Sequence, residues 1–174
     1  DNNNKLNFYL ISRRNVNHAG TRYLTRSIDD NGNVANFVET EQIIKYGKHI
    51  MSYIQIRGSV PVFFQQTGVT AQTEITRTPE LTCKAFIKHI EDIRQGYFPL
   101  IFMINLMNFY KPNEQIITQN FENQIKLNKL KALKYIFWDF QNECKADNYE
   151  RIDSLISSIL NILNIFKFHC QDLN

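Results

Sequence analysis

Two glutamates and two arginines in the first third of the chain have the types and spacing to handle a phosphate group. Glu39 and Glu41 are two residues apart, so on an extended strand their side chains share one face. Two carboxylates this close repel each other unless a cation lies between them, and Arg22 or Arg57 could supply it. We hypothesise that the pair orients an arginine near a phosphate site. The alternative is that one of them acts as general acid for the leaving oxygen.

Arg57 ends a segment in which polar and apolar side chains alternate. Gln55 and Arg57 share one face of the predicted strand, while Ile54 and Ile56 share the other, which we expect to face the core. A guanidinium binds phosphate through two parallel hydrogen bonds, and the adjacent Gly58 could let the backbone approach a ligand closely. The competing interpretation is a salt bridge from Arg57 to a carboxylate that organises the fold.

Asp139 is a further acidic candidate, because it follows a run of apolar residues that predicts a buried strand. The carboxyl ends of strands are where α/β sheets bind their ligands. The alternative role for Asp139 is to cap the turn or helix that follows. The four histidines show no metal-ligand spacing among themselves or with the cysteines, so we expect neither a metal nor another cofactor.

Composition restricts the class of protein. The chain has 174 residues, 43% of them hydrophobic, which is typical of a folded domain or part of one. A net charge of +3 without a basic run gives no reason to expect a nucleic-acid partner. Three cysteines without close pairs indicate a reducing compartment. The longest apolar run, 98–107, is too short to span a membrane. The polar start without an initiator Met suggests a piece of a longer protein.

The order of apolar patterns predicts a mixed α/β fold: residues 1–66 form mainly strands, 67–79 a loop, and 80–174 alternating helix and buried strand. Strands with short antiparallel connections are predicted over 6–12, 21–28, 34–44, 51–56 and 60–64. Asn31-Gly32 indicates a hairpin turn between the second and third of these.

The second half has clearer boundaries. Thr78 is expected to cap a helix over 80–95, with Pro79 in its first turn and Gly96 after its end. The residues expected on its buried face are Leu81, Phe86, Ile90 and Ile93. Further helices are predicted over 113–131 and 149–166, and strands over 100–106 and 132–140, which the apolar composition places in a parallel sheet buried on both faces.

Several sequence runs resemble the signatures of the Sac domain of phosphoinositide phosphatases. They are GTRY at 20–23, VANFVETEQ at 34–42 and QIRGSVPVF at 55–63, with looser similarity in MINLMN at 103–108 and YIFWDFQNEC at 135–144. The chain departs from the family pattern at four positions. His18 stands where the family usually has Arg, Ser27 where it has Gly, Trp138 where it has Phe, and Gln141 where it has His.

The resemblance implies an enzyme that removes phosphate from phosphatidylinositol phosphates through a cysteinyl-phosphate intermediate, in the cytoplasm at the cytosolic face of membranes. The family's nucleophile lies in a Cys-x5-Arg loop. None of Cys83, Cys144 and Cys170 has an arginine six positions later. Residues 1–174 are therefore interpreted as a partial Sac catalytic domain without its nucleophile. The alternative is a non-catalytic Sac-like binding or structural subunit of an assembly.

The resemblance also implies partners and site residues. The partners are a phosphoinositide headgroup or membrane surface, and the remaining Sac segments or an assembly partner. The arginine of the family's loop is a third possible cation for the two glutamates. The candidate substrate-contacting or supporting residues are Arg22, Asn36, Glu39, Glu41, Gln55, Arg57, Gly58, Ser59 and Asp139.

Overall fold

Three nine-residue strands and a short fourth one build the main sheet of the computed structural model, which describes residues 5–19, 26–66 and 72–172. The strands are β1 (Leu6–Arg14), β2 (Val38–Tyr46), β3 (His49–Arg57), β4 (Phe64–Gln65), β5 (Glu74–Ile75), β6 (Ile101–Asn105), β7 (Leu133–Phe137) and β8 (His169–Asp172). The helices are α1 (Pro79–Gly96), α2 (Pro112–Asn128), α3 (Phe140–Glu143) and α4 (Arg151–Phe166). The predicted mixed α/β class, with antiparallel strands before alternating helices and strands, is confirmed.

The main sheet is antiparallel and has the order β1-β2-β3-β8. The strands predicted over 6–12 and 51–56 are confirmed and are slightly longer. The strand predicted over 34–44 begins only at Val38, because Asn36 has a left-handed backbone with a φ of 56°. Of the strand predicted over 60–64, only Phe64 is extended, in β4. Most of the strand predicted over 21–28 lies outside the described residues.

The predicted Asn-Gly turn forms, although its flanks pair only through one bridge between Ile28 and Val34. The Asp29 carboxylate accepts hydrogen bonds from the backbone N–H groups of Asn31 and Asn33 at 2.9 and 2.8 Å. Gly32 follows with a φ of 83°, which glycine adopts without the steric cost of a side chain. The turn is thus held by a local side chain and not by a long strand pair.

Helix α1 begins as predicted, with the Thr78 hydroxyl accepting from Leu81 N at 3.5 Å and Pro79 in the first position. Phe86, Ile90 and Ile93 are buried, but the prediction that Leu81 joins them is wrong, since Leu81 is 63% exposed. At about 100° per residue, Leu81 lies about 140° around the helix from Phe86.

The main core lies between helices α1 and α2 and the parallel pair β6–β7, whose register places Ile101 opposite Leu133. The parallel pairing of the two strands is confirmed, but the prediction that both faces of the pair are buried is wrong. Ile101 is buried and Met103 packs against the core, whereas Ile104 is 39% exposed, because the helices cover only the face on which Ile101 and Met103 lie. A similar correction applies to β3. Ile56 packs on the core, but Ile54 is 45% exposed.

The last helix and strand differ from the simple apolar pattern. In α4, Leu155 and Ile159 are buried while Ile156 and Leu160 are exposed. Strand β8 was not predicted; it pairs with β3 across a long interval of sequence. Within the described residues, no helix is both long and apolar enough to cross a membrane.

Candidate functional site

Glu39 and Glu41 lie on one face of β2, as predicted, and a cation lies between them. That cation is Arg13 on the neighbouring strand, which pairs with Glu39 in the sheet register. The Arg13 guanidinium nitrogens lie 2.7 Å from a Glu39 oxygen and 2.8 Å from a Glu41 oxygen. Of the cations suggested from the sequence, Arg57 does not occupy this position, and Arg22 lies outside the described residues. Recognising Arg13 from sequence would have required the pairing of β1 with β2.

Two hydroxyl groups complete this arrangement. Tyr97 donates to Glu39 Oε2 at 2.9 Å, and Ser52 donates to Glu41 Oε1 at 2.8 Å. We call Arg13, Glu39, Glu41, Ser52 and Tyr97 the glutamate cluster. It joins strands β1, β2 and β3 to the residue that follows helix α1, so its geometry depends on four elements at once.

The electrostatics of the glutamate cluster favour the charged form of Glu41. The hydrogen bond from Arg13 lowers the pKa of Glu41 below its usual value, and the bond from Ser52 lowers it further. Burial raises the pKa of Tyr97 to about 12, and its bond to Glu39 raises it too. A carboxyl with a lowered pKa is ionised near neutral pH and so has no proton to give. Glu41 is therefore better suited to orienting a cation than to general acid catalysis.

Arg57 is exposed at the end of β3. Its side chain makes no hydrogen bond or ion pair with the part of the chain that the structure describes, so the salt-bridge interpretation has no partner there. Gln55, two residues earlier, is also exposed and pairs with Thr40 in the register. Arg57 is thus a guanidinium whose hydrogen-bonding capacity is available to an anion.

Gly58 has a role different from the expected one. A Cβ at this position would lie 2.6 Å from Val34 Cγ2 and 3.4 Å from the Phe37 ring. The close approach is therefore made by the buried Val34 and the partly buried Phe37 of the same protein. Ser59 is similarly engaged: its hydroxyl accepts from Ser27 N at 2.8 Å, and its own N–H donates to Ala35 O at 2.8 Å. Both residues organise the turn region.

The departure at Ser27 has a structural basis. Ser27 is buried with a φ of 83°, a backbone conformation that favours glycine. Its hydroxyl donates to Val62 O at 3.0 Å and accepts from Phe64 N at 3.1 Å, and these bonds stabilise the strained backbone. Other non-glycine residues also have left-handed backbones, among them His18 with a φ of 48° and the candidate Asn36 with a φ of 56°.

Asp139 is buried at the carboxyl edge of the β6–β7 pair. This pair is a separate sheet from the one that contains β2 and β3. Its carboxylate accepts from Asn142 N at 3.0 Å, which caps helix α3, and from Phe109 N at 2.7 Å. This is the capping role proposed as the alternative. Gln141, which stands where the family has histidine, accepts from Lys111 Nζ at 2.7 Å.

The cysteines show no arrangement for nucleophilic catalysis. Cys83 donates to Asn128 Oδ1 at 2.9 Å, Cys144 is buried, and Cys170 is exposed on β8; all three are free thiols. Among residues 5–19, 26–66 and 72–172, no group of three or more His, Cys, Asp or Glu side chains could hold a metal ion.

Comparison with known proteins identifies the family. The model of the SacI homology domain matches residues 1–145. The chain is 37% identical over 156 residues to human phosphatidylinositide phosphatase SAC2. This alignment covers 88% of the chain but only 14% of the human protein. It is 36% identical over 166 residues to inositol-1,4,5-trisphosphate 5-phosphatase 1 of Schizosaccharomyces pombe, an alignment that covers 94% of the chain and 15% of the yeast protein. It is 33% identical over 151 residues to human synaptojanin-1, an alignment that covers 84% of the chain and 10% of synaptojanin-1. The chain therefore belongs to the SacI homology domain family, which confirms the resemblance. The assignment of residues 1–174 to the catalytic part of the domain stays a prediction.

Proposed function

We propose that the protein containing these residues removes phosphate from phosphatidylinositol phosphates at a membrane surface, and that the described residues form a supporting part of its phosphatase domain. The observation that carries this proposal is the family match over residues 1–145, together with relatives that are named as phosphatidylinositide phosphatases. The family pattern assigns the nucleophile of this proposal to the cysteine of a Cys-x5-Arg loop, and neither Cys83 nor Cys144 is followed by Arg six positions later. The thiolate of the loop cysteine would attack phosphorus and displace the inositol oxygen, which leaves as the protonated alcohol, to form a cysteinyl-phosphate intermediate that water then hydrolyses to free phosphate and thiolate.

In this proposal Arg57 contacts the phosphate and the glutamate cluster holds the sheet that presents it. Arg57 has a planar fork of donors that no described carboxylate occupies, and such a fork matches phosphate oxygens. Arg13 differs from Arg57, because both of its terminal guanidinium nitrogens are bonded to carboxylates, one to Glu39 and one to Glu41. The two arginines are thus expected to differ in function, with Arg57 facing substrate and Arg13 maintaining structure.

The test is phosphate release from vesicles that contain phosphatidylinositol phosphates, with the full-length protein and its Arg57→Ala variant. A hydrogen bond to a charged group contributes about 1.5–3 kcal/mol, so we expect kcat/KM to fall by about 10- to 100-fold. Lys48→Ala is the matched control, because Lys48 is an exposed cation in the turn at the opposite end of β3. Equal activity of Arg57→Ala and Lys48→Ala would contradict the role of Arg57.

The second candidate function is a non-catalytic Sac-like binding or structural subunit, for which the observation is that neither Cys83 nor Cys144 has the Cys-x5-Arg spacing. The same assay distinguishes the two. Release that disappears when the cysteine of such a loop in the full-length protein is changed to serine supports the enzyme. Binding of phosphoinositide vesicles without any release supports the binding subunit.

A further inference from the structure

A group of exposed apolar side chains, most of them aromatic, lies at the carboxyl edge of the β6–β7 pair, outside the glutamate cluster. Tyr110 is 72% exposed, Phe109 53%, Leu106 49% and Phe140 37%. We call these four residues and the partly exposed Trp138 the aromatic edge. The rings contact one another in two groups: Phe109 lies 5.4 Å from Tyr110, and Trp138 lies 6.0 Å from Phe140, between ring centroids.

The parallel pairing of β6 and β7 brings the aromatic edge together, because both strands end on the same side. Hydrogen bonds between the two loops keep them adjacent. Phe109 N donates to Asp139 Oδ2 at 2.7 Å, and Asn108 Nδ2 lies 3.4 Å from Gln141 Oε1. The Phe109 ring also packs against Phe137, the last residue of β7, at 6.0 Å.

The backbone beneath these rings is well ordered by its own side chains. Asn108 Oδ1 accepts from Tyr110 N at 2.8 Å and from Lys111 N at 3.0 Å. Asn108 N in turn donates to Glu114 Oε2 at 2.6 Å. Phe109 and Tyr110 are therefore exposed on a loop that is held by its own hydrogen bonds. Because this loop is already ordered, binding a partner through these rings costs little conformational entropy of the backbone.

An exposed cation, Lys111, lies beside these rings and is partnered by a carboxylate and an amide. Asp139 is buried, and both its oxygens accept backbone N–H groups. Glu114 is bonded to Asn108 N and lies 3.7 Å from Lys111 Nζ. Lys111 is exposed, and its ammonium also donates to Gln141. Aromatic rings therefore stand beside a cation whose neighbouring carboxylates already have protein partners.

We infer that the aromatic edge contacts the headgroup region of a phospholipid bilayer. Tyr and Trp rings combine an apolar body with a polar tip and concentrate at the membrane interface, where a lysine can extend its ammonium toward lipid phosphates. The exposed side chains of α4, such as Ile156, Leu160 and Ile165, are aliphatic and have no such pattern. The choice of a lipid surface rests on the proposed function, since the substrate of that reaction lies in a membrane.

The first test is co-sedimentation of the full-length protein with vesicles of phosphatidylcholine and phosphatidylserine. We expect the double variant Phe109→Ser, Tyr110→Ser to bind at least about tenfold more weakly, because two rings lose their apolar contact with lipid. The matched control is Leu160→Ser with Ile165→Ser, which removes two side chains of similar exposure from α4. Equal weakening in both double variants, or in neither, would overturn the inference.

The second measurement uses Trp138, the one tryptophan of the 174 residues. Lipids with bromine on their acyl chains should quench its emission, measured as the difference between the protein and its Trp138→Phe variant. A difference emission that is already blue-shifted without vesicles and is not quenched by brominated lipid would overturn the inference. In that case another part of the protein, or a protein partner, covers the aromatic edge.

Failure of this inference is distinguishable from failure of the proposed function. Phosphate release from a short-chain, monomeric phosphoinositide needs no membrane contact, so we expect the Phe109→Ser, Tyr110→Ser variant to keep it. If the protein releases phosphate from this substrate but the Phe109→Ser, Tyr110→Ser variant binds vesicles no more weakly than the α4 control, only the membrane contact is overturned. Ring-dependent vesicle binding without release from any phosphoinositide overturns only the phosphatase.

Discussion

Gly58 shows how a single residue of a family signature can be required by packing. Val34, which a Cβ at Gly58 would meet at 2.6 Å, is 1% exposed and forms a core cluster with Ile28, Phe63 and Ala85. A buried valine in such a cluster has little room to move, because protein interiors are close-packed. The glycine of the QIRGS run is thus explained by the fold, while the arginine before it keeps its capacity to bind an anion.

We expect Gly58→Ala to lower the free energy of unfolding by about 1–3 kcal/mol, since one added methyl group overfills this site. The measurement is the urea midpoint of unfolding at constant slope. Gly96→Ala is the control, because a Cβ there meets no atom within 4 Å and the residue ends helix α1. That variant should be as stable as the original or slightly more so. A Gly58→Ala protein that unfolds at the original urea concentration would contradict the packing argument.

On the scale of elements, the glutamate cluster connects the end of α1 to the sheet. Tyr97 follows the helix, and its hydroxyl reaches Glu39 on β2, whose other oxygen accepts from Arg13 on β1. These bonds are partly exposed, so each contributes modestly. Together they connect the residue after α1 to strands β1 and β2, and removal of one partner alters the surroundings of the others.

We expect Tyr97→Phe to lower the free energy of unfolding by about 1 kcal/mol, the net contribution of one hydrogen bond. In a Glu39→Gln background the same change should cost less, because the charged acceptor is absent. The double-mutant cycle of thermal or urea unfolding measures this coupling. Tyr46→Phe is the control, since Tyr46 is an exposed tyrosine at the other end of β2. Additive effects of Tyr97→Phe and Glu39→Gln would show that the two side chains do not interact.

The elements with a strong local signal were predictable from the sequence. Thr78-Pro79 marked the start of α1, and apolar runs marked β6 and β7 as a parallel pair. The extent of β2 was not predictable, because the left-handed backbone of Asn36 falls inside a segment whose composition is compatible with one strand. Strand β8 consists of His-Cys-Gln-Asp, which has no strand pattern of its own and forms only by pairing with β3.

The candidate site was predictable only in part, for a related reason. The spacing of Glu39 and Glu41 was enough to infer a shared face and the need for a cation. Arg13 could not be chosen over Arg22 or Arg57, because the choice depends on which strand lies beside β2. Asp139 and Ser59 were recognisable as polar residues in family runs, but only three-dimensional contacts show that they bind backbone groups.

On the scale of the whole molecule, β1 is an open edge of the main sheet. No other strand of the described residues pairs with its outer side, and Leu6, Phe8 and Leu10 are 61%, 55% and 60% exposed. Long apolar edge strands tend to pair with other chains, because their backbone N–H and C=O groups lack partners. The described part of the chain carries none of the usual protection within β1 before Arg13.

We expect the 174-residue chain to self-associate with increasing concentration, and Leu10→Lys to reduce this association by placing a charge on the β1 edge. The measurement is the weight-average mass by light scattering over a concentration series. Val16→Lys is the control, because Val16 is 84% exposed but follows β1. Two variants with the same concentration dependence as the original chain would show that β1 does not mediate association.

The pairing of β3 with β8 has a consequence for synthesis of the protein. His49 Nδ1 lies 2.5 Å from Asp172 Oδ1, although the two residues are 123 positions apart. Distant contacts of this kind form late, since the intervening chain must first become compact. On the ribosome, β1, β2 and β3 can assemble as a three-stranded sheet soon after Arg57 emerges, but the outer side of β3 must wait until the segment around Asp172 has been translated. A nascent chain therefore passes through a period in which the outer side of β3 lacks its partner strand β8, during which chaperone binding would be most useful.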